Sequence, residues 1–245
     1  MKKLIIAVLA GLLLVLLAAC SPTSATEETT LEIVHLQTTP ALAHWLPKAA
    51  ECAGAIPNLG LVSEIAEPSA LSLSSTDLIL RLGPPQADDP YTAVMGMESF
   101  ALVAGDQVSL DSLSVESLQS IFAGEWTLWS EVQEADSPAD TEHPLILFTY
   151  PNGNELEELF SQTYLNGKAP LGNYQRYSSP DKLADLLAAN PYGLGYTLAS
   201  QAPAGFRTIP ITGIETDSAF YVLAVTAAEP ADDLRQLLLC LQNPE

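Results

Sequence analysis

The side chains that most often perform chemistry are few in this 245-residue chain and poorly spaced for it. Its three histidines, His35, His44 and His143, stand at no metal-ligand spacing from one another or from a cysteine, and each reads as a surface or capping residue. The adjacent acids Glu157-Glu158 and Asp232-Asp233 diverge by about 100° on a helix and cannot close on one substrate. No nucleophile elbow, phosphate loop or dinucleotide-binding glycine motif occurs. The chain therefore reads as a non-enzyme, with no catalytic residue, no metal ligand and no cofactor.

Binding chemistry is better represented. Gln37-Thr38-Thr39-Pro40 lies between an apolar run and a helical pattern, and Pro151-Asn152-Gly153-Asn154 repeats that arrangement. A helix start offers unpaired backbone N–H groups and a partial positive charge, and in open α/β sheets such junctions border ligand sites. Thr38, Thr39, Asn152, Gly153 and Asn154 supply hydrogen-bond donors there, while Tyr150 offers a ring to stack on or a hydroxyl to donate. Every helix needs a cap, so one junction alone says little. Two junctions, one from each of two lobes facing one cleft, would make a site.

The elements that must position these residues alternate between strand and helix patterns. LEIVHL (31–36), LGLVSEI (59–65) and DLILRL (77–82) read as strands, with a helix over 40–53 between the first two. Such alternation predicts an α/β domain with largely parallel strands. The turn GPPQADDP (83–90) leads into a long apolar stretch interrupted by Gly96, read as a first crossing into a second lobe. That lobe is expected to hold the strand PLILFTY (144–150), helices near 154–166 and 180–189, and the strand YGLGYTLA (192–199). FRTIPI and AFYVLAVT lead back, and a helix over 232–241 ends the pattern.

The first nineteen residues have the layout of a secretory signal: Lys2 and Lys3, an apolar run, then Leu17-Ala18-Ala19 before Cys20. This ending resembles a bacterial lipobox, in which Cys20 carries acyl chains and anchors the protein to a membrane; the alternative is an ordinary cleaved signal with an incidental cysteine. Residues 20–30 form a polar tether. Losing Lys2 and Lys3 takes the 9 bases to 7 against 30 acids, a formal −23. So acidic a chain does not seek nucleic acid. Cys52 and Cys240 remain for an oxidising exterior. They are either a bridge, if the chain ends meet in one lobe, or two buried thiols.

LQSIFAGEWTLWSEV (118–132) has a local reading first. Ser114 caps a helix from Val115, Glu116 suits its first turn, Leu118, Ile121 and Phe122 form the apolar stripe, and Gly124 stops it. Trp126 and Trp129 pack under the following turn. The same stretch resembles the phosphate-binding type of solute-binding proteins that serve ABC transporters. Leu118, Ile121, Phe122, Gly124, Trp129, Ser130 and Val132 follow that family's pattern in order. Weaker likeness runs through the Thr38-Thr39 junction, the Asp77 strand, Gly193-Leu194-Gly195-Tyr196 and Tyr221-Val222-Leu223.

The resemblance implies an α/β, two-lobed type II periplasmic-binding-protein fold with a ligand cleft between lobes: 31–97 plus 205–245 in lobe 1 and 98–204 in lobe 2. Both chain ends then share a lobe, which supports the Cys52–Cys240 bridge. Together with the lipobox, the resemblance points to a monomer outside the cytoplasm, lipid-anchored to a bacterial membrane, that takes a small polar or anionic solute and delivers it to an ABC transporter permease. Arg81 falls near the family's Ser-Ser-Arg turn; pointing into the cleft it would pair with a carboxylate or oxyanion, and pointing elsewhere it would neutralise neighbouring acids. The family's Arg and Gly-Ser-Gly-Thr helix start, however, is replaced by Tyr150 and Gly153-Asn154-Glu155-Leu156. That exchange removes a guanidinium and a hydroxyl and adds a carboxylate, which weighs against phosphate. The rival expectation is a surface lipoprotein of the same fold that lacks a ligand and works as a sensor or partner-binding module.

Overall fold

A computed structural model describes residues 31–132, 142–171, 174–213 and 219–243. The leader, Cys20 and the tether lie outside the described residues. Strands β1 (Glu32–Thr38), β2 (Leu59–Ile65) and β3 (Leu78–Leu82) form one end of a nine-stranded sheet in the order β2-β1-β3. β1 and β3 are parallel, pairing Leu36 with Leu78 and Thr38 with Leu80. All five residues of β3 are buried, as expected of a strand covered on both faces.

The helix expected over 40–53 is divided. Pro40–Trp45 is a 3-10 turn, and only Leu46–Gly54 (α1) is α-helical. Pro47 explains the break, because it has no N–H to donate to Ala43 and its ring crowds that carbonyl. Leu46 N donates to Ala43 O instead, closing the tighter turn.

Strand β4 (Tyr91–Ala104) is the long apolar stretch. Its residues 91–99 pair antiparallel with β11 (Ala219–Thr226), and its residues 100–104 pair antiparallel with β8 (Gly193–Leu198). The register slips between Val222 and Leu223, leaving Met95 as the extra residue of a bulge beside Gly96. A β-carbon on Gly96 would stand 3.1 Å from the Trp45 ring, so the glycine admits that indole. Beyond β8 come β6 (Ile146–Thr149) and β7 (Tyr174–Arg176), both in parallel pairings, while β9 (Arg207–Ile209) joins the other side of β4. The sheet is therefore mixed rather than largely parallel: every pairing made by β4 and β11, the crossing strands, is antiparallel. A separate pair joins β5 (Leu113–Ser114) to β10 (Ile211–Thr212).

Helix α2 (Val115–Phe122) begins where its sequence signals it. The Ser114 hydroxyl accepts from Ser117 N at 3.2 Å, and Gly124 follows in a left-handed conformation, φ +74°. Trp129 is buried and its indole donates to Tyr192 O at 2.9 Å; Trp126 packs at the core's edge. Helix α3 (Glu155–Tyr164) brings Phe160 flat against Tyr196, with ring centroids 3.7 Å apart, in a cluster with Phe100 and Phe122. Helix α4 (Pro180–Ala189) is capped by Ser179, whose hydroxyl accepts from Lys182 N.

Helix α5 (Asp232–Gln242) packs on α1, where Cys52 and Cys240 form a disulfide with Cα atoms 5.8 Å apart. Lys48 Nζ donates to Asn243 O beside it. The cross-link spans 188 residues of sequence, so in the chain-entropy view it removes much of the unfolded chain's freedom. Reducing it should lower stability by about 2–5 kcal/mol, roughly 5–15 °C in melting temperature, read by circular dichroism with and without reductant. A β-carbon on Gly105 would lie 2.2 Å from Pro191 O, a backbone atom. Gly105→Ala should therefore cost about 1–3 kcal/mol. Gly54→Ala, at an open position of α1, should be neutral or gain about 0.5–1 kcal/mol in the same melts.

Candidate functional site

The end of β1, the end of β3 and the start of α3 bring three of the expected regions together. Thr39 follows β1 and is fully buried. Its hydroxyl does not cap the turn that begins at Pro40, and it has no hydrogen-bond partner. Across from it stands Glu155, the first residue of α3, whose Oε2 is likewise buried without a partner. Burial pushes the Glu155 carboxyl up from its ordinary range; the Thr39 hydroxyl, the Leu82 backbone and the Arg81 guanidinium, all near enough to favour the ionised form, offset only part of this. The two halves of the sheet thus meet at a carboxylate.

Arg81 sits beside this carboxylate and is already paired. Its Nη2 donates to Asp89 Oδ2 at 2.5 Å and its Nη1 to Pro84 O at 3.1 Å. Gly83, at φ +107°, opens the turn that carries Asp89 back onto the guanidinium, and Asp89 Oδ2 also accepts from Gln86 N. A cavity of about 550 Å³ adjoins the pair, between the 68–74 segment, the 84–90 turn and Glu155.

The other expected residues are engaged within the protein. Thr38 Oγ1 donates to Leu80 O at 3.1 Å, which joins β1 to β3. Tyr150 is buried, with its hydroxyl 3.2 Å from Thr197 Oγ1 and its ring against Tyr177. Burial, first of all, holds its phenol above the ordinary tyrosine range. Asn154 caps α3 by accepting from Leu156 N, Asn152 Oδ1 accepts from Arg176, and Gly153 supplies the left-handed turn at φ +80°. Thr39 and Arg81 therefore reach the junction of the two halves, whereas Thr38, Tyr150, Asn152 and Asn154 have internal partners.

One cluster was missed from sequence. His44 Nε2 lies 3.1 Å from the buried Glu98 Oε1, which also accepts from Ser200 Oγ at 2.9 Å, and Gln201 Nε2 lies 2.7 Å from His44 Nδ1. These residues come from the Pro40–Trp45 turn, from β4 and from the Ala199–Gln201 turn after β8. The grouping resembles a hydrolase triad in composition only. Serine and carboxylate both face Nε2, and the serine already donates to the carboxylate, so no relay runs through the ring. No local spacing signals it, since its members are separated by up to 157 positions. Among the described residues, no group of three or more His, Cys, Asp or Glu side chains is arranged to hold a metal ion.

No protein-family model matches the sequence, and no curated protein matches it. Solved structures do resemble it. An ABC-type phosphate transport receptor from Vibrio cholerae shares 13% identity at a TM-score of 0.65, over 86% of this chain and 93% of the receptor. A putative phosphate ABC transporter substrate-binding protein from Clostridium perfringens, with bound phosphate, shares 14% at 0.66 over the same proportions. The reduced form of OxyR from N. meningitidis shares 17% at 0.60, over 86% and 94%. At these identities the likeness concerns the fold, which is the α/β, two-lobed type II periplasmic-binding-protein fold.

Proposed function

We propose that this protein is a lipid-anchored solute-binding protein that holds a small polar solute between two lobes and passes it to the permease of an ABC transporter. Residues 1–19 are its signal peptide and 20–30 its tether from Cys20; 31–97 with 205–245 form lobe 1, and 98–204 form lobe 2. It works as a monomer on the outer side of a bacterial membrane, as a binding protein rather than an enzyme. No helix among the described residues is long and apolar enough to cross a membrane, and the lipobox supplies the attachment in this reading.

The observation that carries the reading is the meeting of Thr39, Arg81 and Glu155, from opposite halves of the sheet, beside a cavity large enough for a small molecule. The fold supports it, because structures of this shape include an ABC-type phosphate transport receptor and a putative phosphate ABC transporter substrate-binding protein. The pairing of Arg81 with Asp89 argues for a polar solute other than an oxyanion. A second reading, a sensor or partner-binding module without a solute, draws support from the internal engagement of Thr38, Tyr150, Asn152 and Asn154.

A thermal-shift screen of oxyanions, amino acids, amines and sugars separates the two. A true solute at 100 times its dissociation constant should add about 2.7 kcal/mol, roughly 5–10 °C. Silence across every class favours the module. For the anchor, Cys20→Ala should move the protein from the detergent phase to the aqueous phase; unchanged partitioning would count against lipidation.

A further inference from the structure

The cavity beside Glu155 has a chemical bias. Asp88, Asp89 and Glu155 line it with Arg81 as the one cationic side chain among the lining residues, and Ser72 and Ser74 line it too. Arg81 is closed off by Asp89 and by the Pro84 and Leu82 carbonyls. Glu155 Oε2 has no donor within hydrogen-bond geometry, although the Thr39 hydroxyl and the Leu82 backbone lie near enough to favour its charge. The Thr39 hydroxyl, fully buried and also unpartnered, faces the same carboxyl from the opposite lobe. A buried carboxylate oxygen without a donor is costly, and a charge-assisted hydrogen bond is the strongest remedy. A fully ionised oxyanion would instead add negative charge to a lining that already carries an excess of it. A metal ion is a poor candidate, because the described acids do not converge as a ligand set.

We propose that Glu155 is the specificity-determining residue of the cleft, and that it selects a small organic cation carrying an ammonium or guanidinium group. The proposal rests on the solute-capture reading and narrows it. The cation donates to Glu155 where it lines the cavity, while the exposed Asp88 draws it in. The chain's large negative charge favours the same encounter.

The test is isothermal titration of the full-length protein in detergent at pH 7.5 and low salt. The probes are 1,4-diaminobutane and methylguanidine as cations, inorganic phosphate as the anion and glucose as the neutral solute. A cationic probe should bind the wild type, and Glu155→Gln, which keeps the shape and removes the charge, should weaken it about tenfold or more. Asp88→Asn, at an exposed position, should weaken it a few-fold at low salt and less at high salt, and it serves as the test if Glu155→Gln does not fold. Equal affinity in the wild type and Glu155→Gln overturns the proposal, as does tighter binding of phosphate than of either cation. Binding of phosphate or glucose alone, or silence with all four probes, overturns the cation assignment; solute capture itself falls only if the wider screen of oxyanions, amino acids, amines and sugars is also silent.

Discussion

Fourteen consecutive residues of β4 hydrogen-bond to β11 along their first nine positions and to β8 along their last five. Each half of the sheet therefore takes its orientation from one continuous backbone. A strand used in this way cannot slip by one residue in either half without turning its side chains to the wrong face in both. The single irregularity, the bulge at Met95 beside Gly96, falls where the Trp45 ring presses against the strand. The return of β11 and the α1–α5 disulfide then hold the first half closed around its own core. Only because these constraints hold do Thr39 and Glu155, 116 positions apart in sequence, face one another.

That meeting point shows how the chain handles charge. Most of its acids are solvated, where their mutual repulsion is screened and they favour solubility. Glu155 differs because burial raises the cost of ionising it more than its neighbours lower that cost. Arg81 would be the natural counter-charge, yet the 83–90 turn delivers Asp89 to it first, at 2.5 Å and with both side chains largely buried. A buried pair of this kind has little positive charge left to offer. The helix start that would favour an anion thus carries a carboxylate of its own at its first residue.

Local chemistry was legible in the sequence wherever it was self-contained. The Ser114 cap and the Gly124 stop depend on residues within four positions of one another, and both stand where their types place them. The 3-10 turn at Pro40–Trp45 was also local, but its cause, Pro47, sits beyond the segment it disturbs. Strands of two or three residues, β5 and β7, carry no measurable alternation and become strands only because partners lie alongside. The same limit applied to the site. Glu155 was visible as a departure from a family pattern, whereas the pairing of Arg81 with Asp89 depends on how one turn folds back, and the Tyr150–Thr197 contact on two strands 47 positions apart.

The His44–Glu98–Ser200 cluster extends the argument from position to motion. Glu98 is buried on the crossing strand itself, and its Oε1 accepts from Ser200 and lies 3.1 Å from His44. Those partners belong to turns at the ends of elements in opposite halves of the sheet. Any rotation of one half against the other about β4 must stretch one of these contacts, leaving a buried carboxylate short of a donor unless water replaces it. The lobes are therefore joined by a polar clamp at the crossing as well as by the Thr39–Glu155 approach in the cleft. A rotation of one half against the other would have to disturb both.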